Sequence, residues 1–308
     1  MRFSSCLLLA LACGPCLAQS YDGPIIDVHL HVGRAAPGAP NPATGVPTTA
    51  NTDAEREAMT LERMRRHSIV LGLVSGPDEA MASMRRAGGD RIRAGAFMDD
   101  GRTRLPPPEV LREAFERGDL QVIGEVGAQY HGMDPGEDWF EPYMALAEEF
   151  DVPVGIHTGL APPGAAYGCC PDFRIELGNP LRLEPMLKKH PNVRVWLMHA
   201  GWPFLAETKA LLYMYPQVHA DVSVINWIIP RAEFHDYLEA LVRAGLTDRL
   251  MFGSDQMVWP EAITQAIEGV DSAPFLSAVD KRAIFHDNAA RFLRIADAPV
   301  TGPEEAQP

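Results

Sequence analysis

Two histidines one residue apart close an apolar run near the start of the chain: IIDVHLHVG, Ile25 to Gly33. Side chains of a strand alternate between faces, so His29 and His31 share one, and by the same count Asp27 joins them. Imidazole nitrogen and carboxylate oxygen are donors that divalent metals, zinc in particular, accept. Four later runs end alike: Glu125 in IGEVG, His157 in GIHTG, His199 in LMHAGWP and Asp255 in FGSDQ. Any one of them alone reads most simply as a hydrogen-bonded strand-end residue or a helix cap. Together, His29, His31, Glu125, His157, His199 and Asp255 place metal-ligand types where five different apolar runs stop, and they are expected to meet at a metal centre.

Such a meeting needs a fold that gathers strand ends. Eight short, β-branched runs occur: from Ile25, Ser68, Arg91, Leu120, Val152, Val193, Gln217 and Arg249. Their continuous hydrophobicity suits parallel strands buried on both faces. Segments with helical spacing lie between them. Ala54, Ala58, Leu61 and Met64 recur behind Thr52, an N-cap type, and Asn179-Pro180 opens another such segment. Eightfold alternation predicts an α/β fold, a (β/α)8 TIM barrel, whose typical length is about 250 residues. A doubly wound open sheet fits less well, because no glycine-rich phosphate turn follows the first strand.

Residues 1–18 read instead as a secretory signal peptide: one arginine, an apolar run too short for a bilayer, then small residues up to Ala18. The barrel is expected over 19–296, and 297–308 as a disordered tail. That leader implies a secreted or periplasmic protein and would remove three of the five cysteines. The remaining pair, Cys169 and Cys170, could bond to each other, bridge to another chain or stay free. A formal net charge of −14 argues against nucleic acid or an anionic membrane as a partner and leaves a small-molecule substrate; a homodimer stays open.

Two long connections, 33–51 and 158–178, follow strands, and so belong to the barrel's C-terminal face, where sites are built. Arg34, Tyr130, Tyr167, Arg174, Trp202 and Trp259 are the candidate substrate contacts, with Trp227 and Gln256 beside them. His67 and His190 fall near helix ends, and His131, His235 and His286 read as surface or helical residues. His219, inside the seventh run and two residues before Asp221, could support a ligand or line the pocket.

With DVHLH, Glu125, His157, HAGWP, FGSD and the closing IFHDNAARFL in hand, the chain from about Ile25 to Leu293 resembles the amidohydrolase superfamily, and within it the amidohydrolase-related metal-dependent hydrolases. The resemblance implies that His29 and His31 bind a first divalent ion, most readily zinc, with Asp255 touching it and acting as general base. It implies a second ion on His157 and His199, or a role for them in steadying substrate and water; His199 is thus a catalytic candidate beside Asp255. Glu125 stands where some members carry a bridging carboxylated lysine. The implied reaction is hydrolysis of a small amide, ester or lactone by metal-activated water. Non-oxidative decarboxylation of an aromatic or related acid, performed by members of the same branch, is the alternative.

Overall fold

A computed structural model describes residues 20–33, 35–98 and 104–295. The predicted leader, the tail and Arg34 lie outside the described residues. Eight parallel strands pair in sequential order: β1 (Ile25–His31), β2 (Ile69–Ser75), β3 (Ile92–Met98), β4 (Val122–Val126), β5 (Val154–His157), β6 (Val195–Met198), β7 (Val218–Asp221) and β8 (Leu250–Met251). β8 is only two residues long. Beyond it the chain still runs along β1, where the Val28 N–H donates to Phe252 O at 3.0 Å and the Asp255 N–H to His29 O at 2.8 Å. These bonds nearly close the barrel. The alternation read from the sequence is thus the observed architecture, with the later strands shorter than the apolar runs that contain them.

Helices cover the outside. α1 (Asp53–Arg66) starts at Thr52, whose hydroxyl accepts from the Glu55 N–H at 3.1 Å, and carries acids in its first turn and arginines in its last. It buries Met64 and also Arg56, whose guanidinium donates to His31 O at 2.7 Å. α2 (Asp78–Gly88), α3 (Pro108–Glu116), α4 (Glu141–Glu149), α5 (Glu184–Lys189), α6 (Leu205–Met214), α7 (Ile225–Ile228), α8 (Arg231–Arg243) and α9 (Ala262–Asp271) complete the shell. Among the described residues, no helix is long and apolar enough to cross a membrane.

The core has two layers. The larger lies between strands and helices. The smaller fills the barrel itself: Ile26, Val28, Leu71, Leu73, Val122, Trp196, Met198 and Met251, capped by Ala289, Ala290, Phe292 and Leu293 from the C-terminal segment. Gly155 makes room for it, since a Cβ there would stand 2.3 Å from the Trp196 ring. The NAARFL ending therefore has a physical reason: Asn288 donates to Thr247 O and Leu250 O, both at 2.7 Å, and this pins the plug across the N-terminal mouth.

Candidate metal centre

β1 does not run in simple alternation. Its register against β2 advances three residues from Asp27 to Leu30 while β2 advances two, from Gly72 to Val74. This is a β-bulge, and it re-aims side chains. Ile26 and Val28 face the barrel interior before it, and Leu30 faces the helices after it. The expectation that Asp27 shares the histidines' face is thereby corrected. Its Oδ1 instead accepts the backbone N–H groups of His29 (3.1 Å) and Ser254 (3.0 Å), which ties β1 to the segment carrying Asp255.

Beyond the bulge the six expected residues come together. His29 Nε2 and His31 Nε2 are 3.2 Å apart. Glu125 Oε2 lies 3.5 Å from the first and 3.1 Å from the second; Asp255 Oδ1 lies 3.8 and 3.0 Å from them. The other oxygen of Glu125 faces the other pair, with His157 Nε2 and His199 Nε2 each 3.9 Å from Oε1. His199 and Asp255 both adopt left-handed backbone (φ 62° and 49°), uncommon for residues with a Cβ and a recurrent source of strain at functional sites. Glycine lets the last segment approach: a Cβ on Gly253 would stand 2.8 Å from that of His29.

The surroundings aim these groups. His29 Nδ1 contacts Asp221 Oδ2 at 3.2 Å and Ser223 Oγ at 2.9 Å; His199 Nδ1 contacts Ser223 Oγ at 3.0 Å. His31 Nδ1 lies 3.3 Å from Ser75 Oγ, and Gln256 Nε2 donates to its carbonyl at 2.5 Å, beside Arg56. His157 sits between Gln129 (2.7 Å to Nδ1) and the Tyr130 hydroxyl (3.0 Å to Nε2). Asp221, Ser223, Gln129 and Arg56 were not among the sequence candidates. Asp221 did carry a usable signal, because it ends β7 as His157 ends β5.

The electrostatics suit a cation. Burial alone would favour neutral rings, but Asp255, Asp221 and Glu125 outweigh it and hold His29 well above the usual histidine range. Against the same burial, Asp255 and Glu125 push His31 up to about 9. Burial would also raise the carboxyls. The facing histidines instead hold Glu125 well below its ordinary value and Asp255 down at about 2. Both carboxylates are thus ionised, the form a metal ligand needs. Asp255 Oδ1 is buried without a well-directed hydrogen bond, although His31 Nε2 is close. Two nitrogens on one tetrahedral zinc stand about 3.3 Å apart, close to the His29–His31 spacing. The donor set therefore fits a divalent ion on His29, His31, Glu125 and Asp255. Among the described outer candidates, Tyr130 touches the His157 ring and Gln256 the His31 carbonyl. Tyr167 is 97% exposed, Arg174 pairs with Glu176 in solvent, the Trp202 indole N–H donates to Glu233 of α8, and that of Trp259 to Ala39 O. Trp227 donates to Ser254 O, behind Asp255. His219 is not at this centre; it packs on Phe292 of the plug, ring centroids 4.8 Å apart. Cys169 and Cys170 are bonded to each other.

Solved structures share this barrel. A probable 2-pyrone-4,6-dicarboxylic acid hydrolase from Acinetobacter baumannii, with citric acid bound, is 15% identical with a TM-score of 0.61, covering 88% of this chain and 100% of that one. A 5-carboxyvanillate decarboxylase from Novosphingobium aromaticivorans, complexed with manganese, is 17% identical with a TM-score of 0.54, covering 76% and 79%. Protein fluG of Emericella nidulans is 26% identical over 113 residues, which span 35% of this chain and 12% of that protein. The amidohydrolase family profile matches residues 26–295, a stretch that holds every strand end of the cluster, and this chain belongs to that family.

Proposed function

We propose that this metal-dependent enzyme hydrolyses a small amide, ester or lactone, with zinc as the ion that His29, His31, Glu125 and Asp255 would hold. The observation that carries the reading is the buried, ionised Asp255, whose Oδ1 faces the histidine pair without a directed hydrogen bond. A divalent ion bound there supplies Lewis acidity, lowering the pKa of water to about 7 and polarising a carbonyl. Asp255 takes the proton of the attacking water and returns it to the leaving amine or alkoxide, so proton and charge balance over the turnover. His199 and His157, across the mouth, orient the carbonyl, and Tyr130 holds the His157 ring. Glu125 presents its second oxygen to this pair, and these three side chains would hold a second ion.

The substrate reaches the cluster past His31, the one ligand candidate that is not fully buried. The leader read in residues 1–18 supports export to the periplasm or medium, where cleavage of scavenged small molecules is useful. Asp255→Asn should lower kcat by roughly a hundred- to ten-thousandfold, with the metal still bound, as measured by turnover and metal content. Activity equal to the parent would remove Asp255 as the base. Decarboxylases share the fold, so water labelled with oxygen-18 separates the two reactions: label in the acid product marks hydrolysis, and carbon dioxide without it marks decarboxylation.

A further inference from the structure

We propose that Ser223 and Asp221, at the end of β7, are one positioning device that sets the tautomer of two metal-facing histidines at once. The inference rests on the metal-centre reading above. Its basis is a count of hydrogens. Ser223 has a single hydroxyl proton, and its Oγ lies 2.5 Å from Asp221 Oδ1, a short bond that the ionised carboxylate accepts. The lone pairs of the same Oγ then face His29 Nδ1 at 2.9 Å and His199 Nδ1 at 3.0 Å. With its proton committed to Asp221, Oγ can only accept, so both rings carry hydrogen on Nδ1. Asp221 Oδ2 and the Ser223 carbonyl, each 3.2 Å away, reinforce the same choice at His29 and His199. Both Nε2 atoms are then free to present a lone pair to a cation, one beside each oxygen of Glu125.

Asp221 is itself held. It is fully buried, and the backbone N–H groups of His199 (3.0 Å) and Ser223 (2.9 Å) and the Trp196 indole N–H (3.2 Å) all donate to it. The His199 amide bond also seats the tight turn that carries that ligand. One carboxylate on a strand without a ligand of its own thus joins the two histidine pairs and the barrel plug. Groups that orient a ligating imidazole typically change metal affinity about ten- to a hundredfold when removed.

The test uses the full chain without substrate. Zinc affinity is measured by competition with a chromogenic chelator, and histidine tautomers are read by nitrogen-15 NMR of the zinc-loaded protein. Ser223→Ala should weaken zinc binding about tenfold or more and shift the Nδ1 signals of both His29 and His199. Asp221→Asn should weaken it further, because its amide can place a donor against His29 Nδ1. Phe292→Ala opens the plug without touching Asp221, Ser223 or either histidine; it should leave affinity within about twofold while lowering thermal stability. Parent-like binding by Ser223→Ala, or an equal loss in Phe292→Ala, overturns the proposal. Zinc bound with the expected tautomers in a protein that hydrolyses nothing would sink the hydrolase reading and leave this one standing.

Discussion

The two mouths of this barrel are built on opposite principles. At the C-terminal mouth, His29, Glu125, His157, His199, Asp221, Ser223 and Asp255 are all buried, and nearly every contact among them is polar. At the N-terminal mouth, Trp196, Phe292, Leu293 and their neighbours form an apolar plug, and the His219 ring packs on Phe292. Buried polar atoms cost free energy unless something satisfies them, whereas buried apolar area stabilises directly. The first end is therefore organised around a cation and the second around packing. Changes at one should abolish metal binding and chemistry; changes at the other should cost stability and leave the metal in place.

The sharpest way to break this contrast is to replace His29 and His31 together by alanine. The double variant should lose the tightly held metal and with it turnover by more than about a thousandfold, equivalent to at least roughly 4 kcal/mol of transition-state stabilisation. Its unfolding temperature without metal should also fall, because Glu125, Asp221 and Asp255 stay buried after losing the imidazole partners that hold them ionised. Elemental analysis and thermal unfolding check both halves; full metal content in the variant would end the assignment.

At the other mouth, Phe292→Ala should cost about 3–5 kcal/mol of stability by opening a cavity in the plug. Metal content per folded chain should stay at the parent value, since Phe292 reaches the centre only through Trp196 and the two rings meet edge to face at 5.8 Å. Denaturant unfolding of metal-loaded and metal-free protein separates the effects. A lowered metal content with unchanged stability would invert the division proposed for the two ends.

How much of that division could be read beforehand depended on whether a residue's role is local. The eight strands were legible because burial on both faces leaves nearly uninterrupted apolar runs, and the ligand types were legible because they punctuate those runs. The bulge in β1 was not, because it arises from pairing with β2, and Gly72 to Val74 lies over forty residues on. Asp221 was visible as a strand-end carboxylate, but its meaning comes from His29, 192 positions away, and from the His199 turn. Loop side chains were the least legible. Tyr167 and Arg174 share a connection with groups near the centre, yet loop backbone aims them at solvent. Trp202 was expected at the pocket from its place after His199, and α8 draws its indole outward instead.

His219 sharpens the comparison through pH. Burial, then the charges of Arg249 and Arg291, lower its pKa from 6.5 to about 3. Between those values the unfolded chain binds a proton that the folded chain refuses. Stability therefore falls as pH drops through this window, by about 1.4 kcal/mol per unit, and the penalty vanishes above pH 6.5. His219→Leu removes both the titration and a buried nitrogen without a partner. Compared metal-free by chemical denaturation, the variant should gain on the parent by about 2 kcal/mol at pH 5 and show no pH-dependent gain above pH 7. Parallel pH profiles for the two proteins would mean that His219 is solvated.

The smallest effect belongs to the rim of the C-terminal mouth, where the contrast softens. Cys169 is exposed and bonded to buried Cys170, whose N–H donates to Ala165 O and whose carbonyl accepts from the Phe173 N–H, both at 3.0 Å. Phe173 packs on Tyr130 with ring centroids 5.4 Å apart, and Tyr130 holds His157. The adjacent bridge thus braces a loop that reaches the metal centre through two aromatic rings and no ligand. Two-electron reduction by a phosphine, chosen because a thiol would compete for the metal, should raise KM a few-fold while leaving kcat and metal content near their starting values. Cys169→Ser with Cys170→Ser should reproduce the change without reductant. An unchanged KM in both experiments would place the substrate away from this loop, and a falling metal content would mean that the rim is part of the metal centre after all.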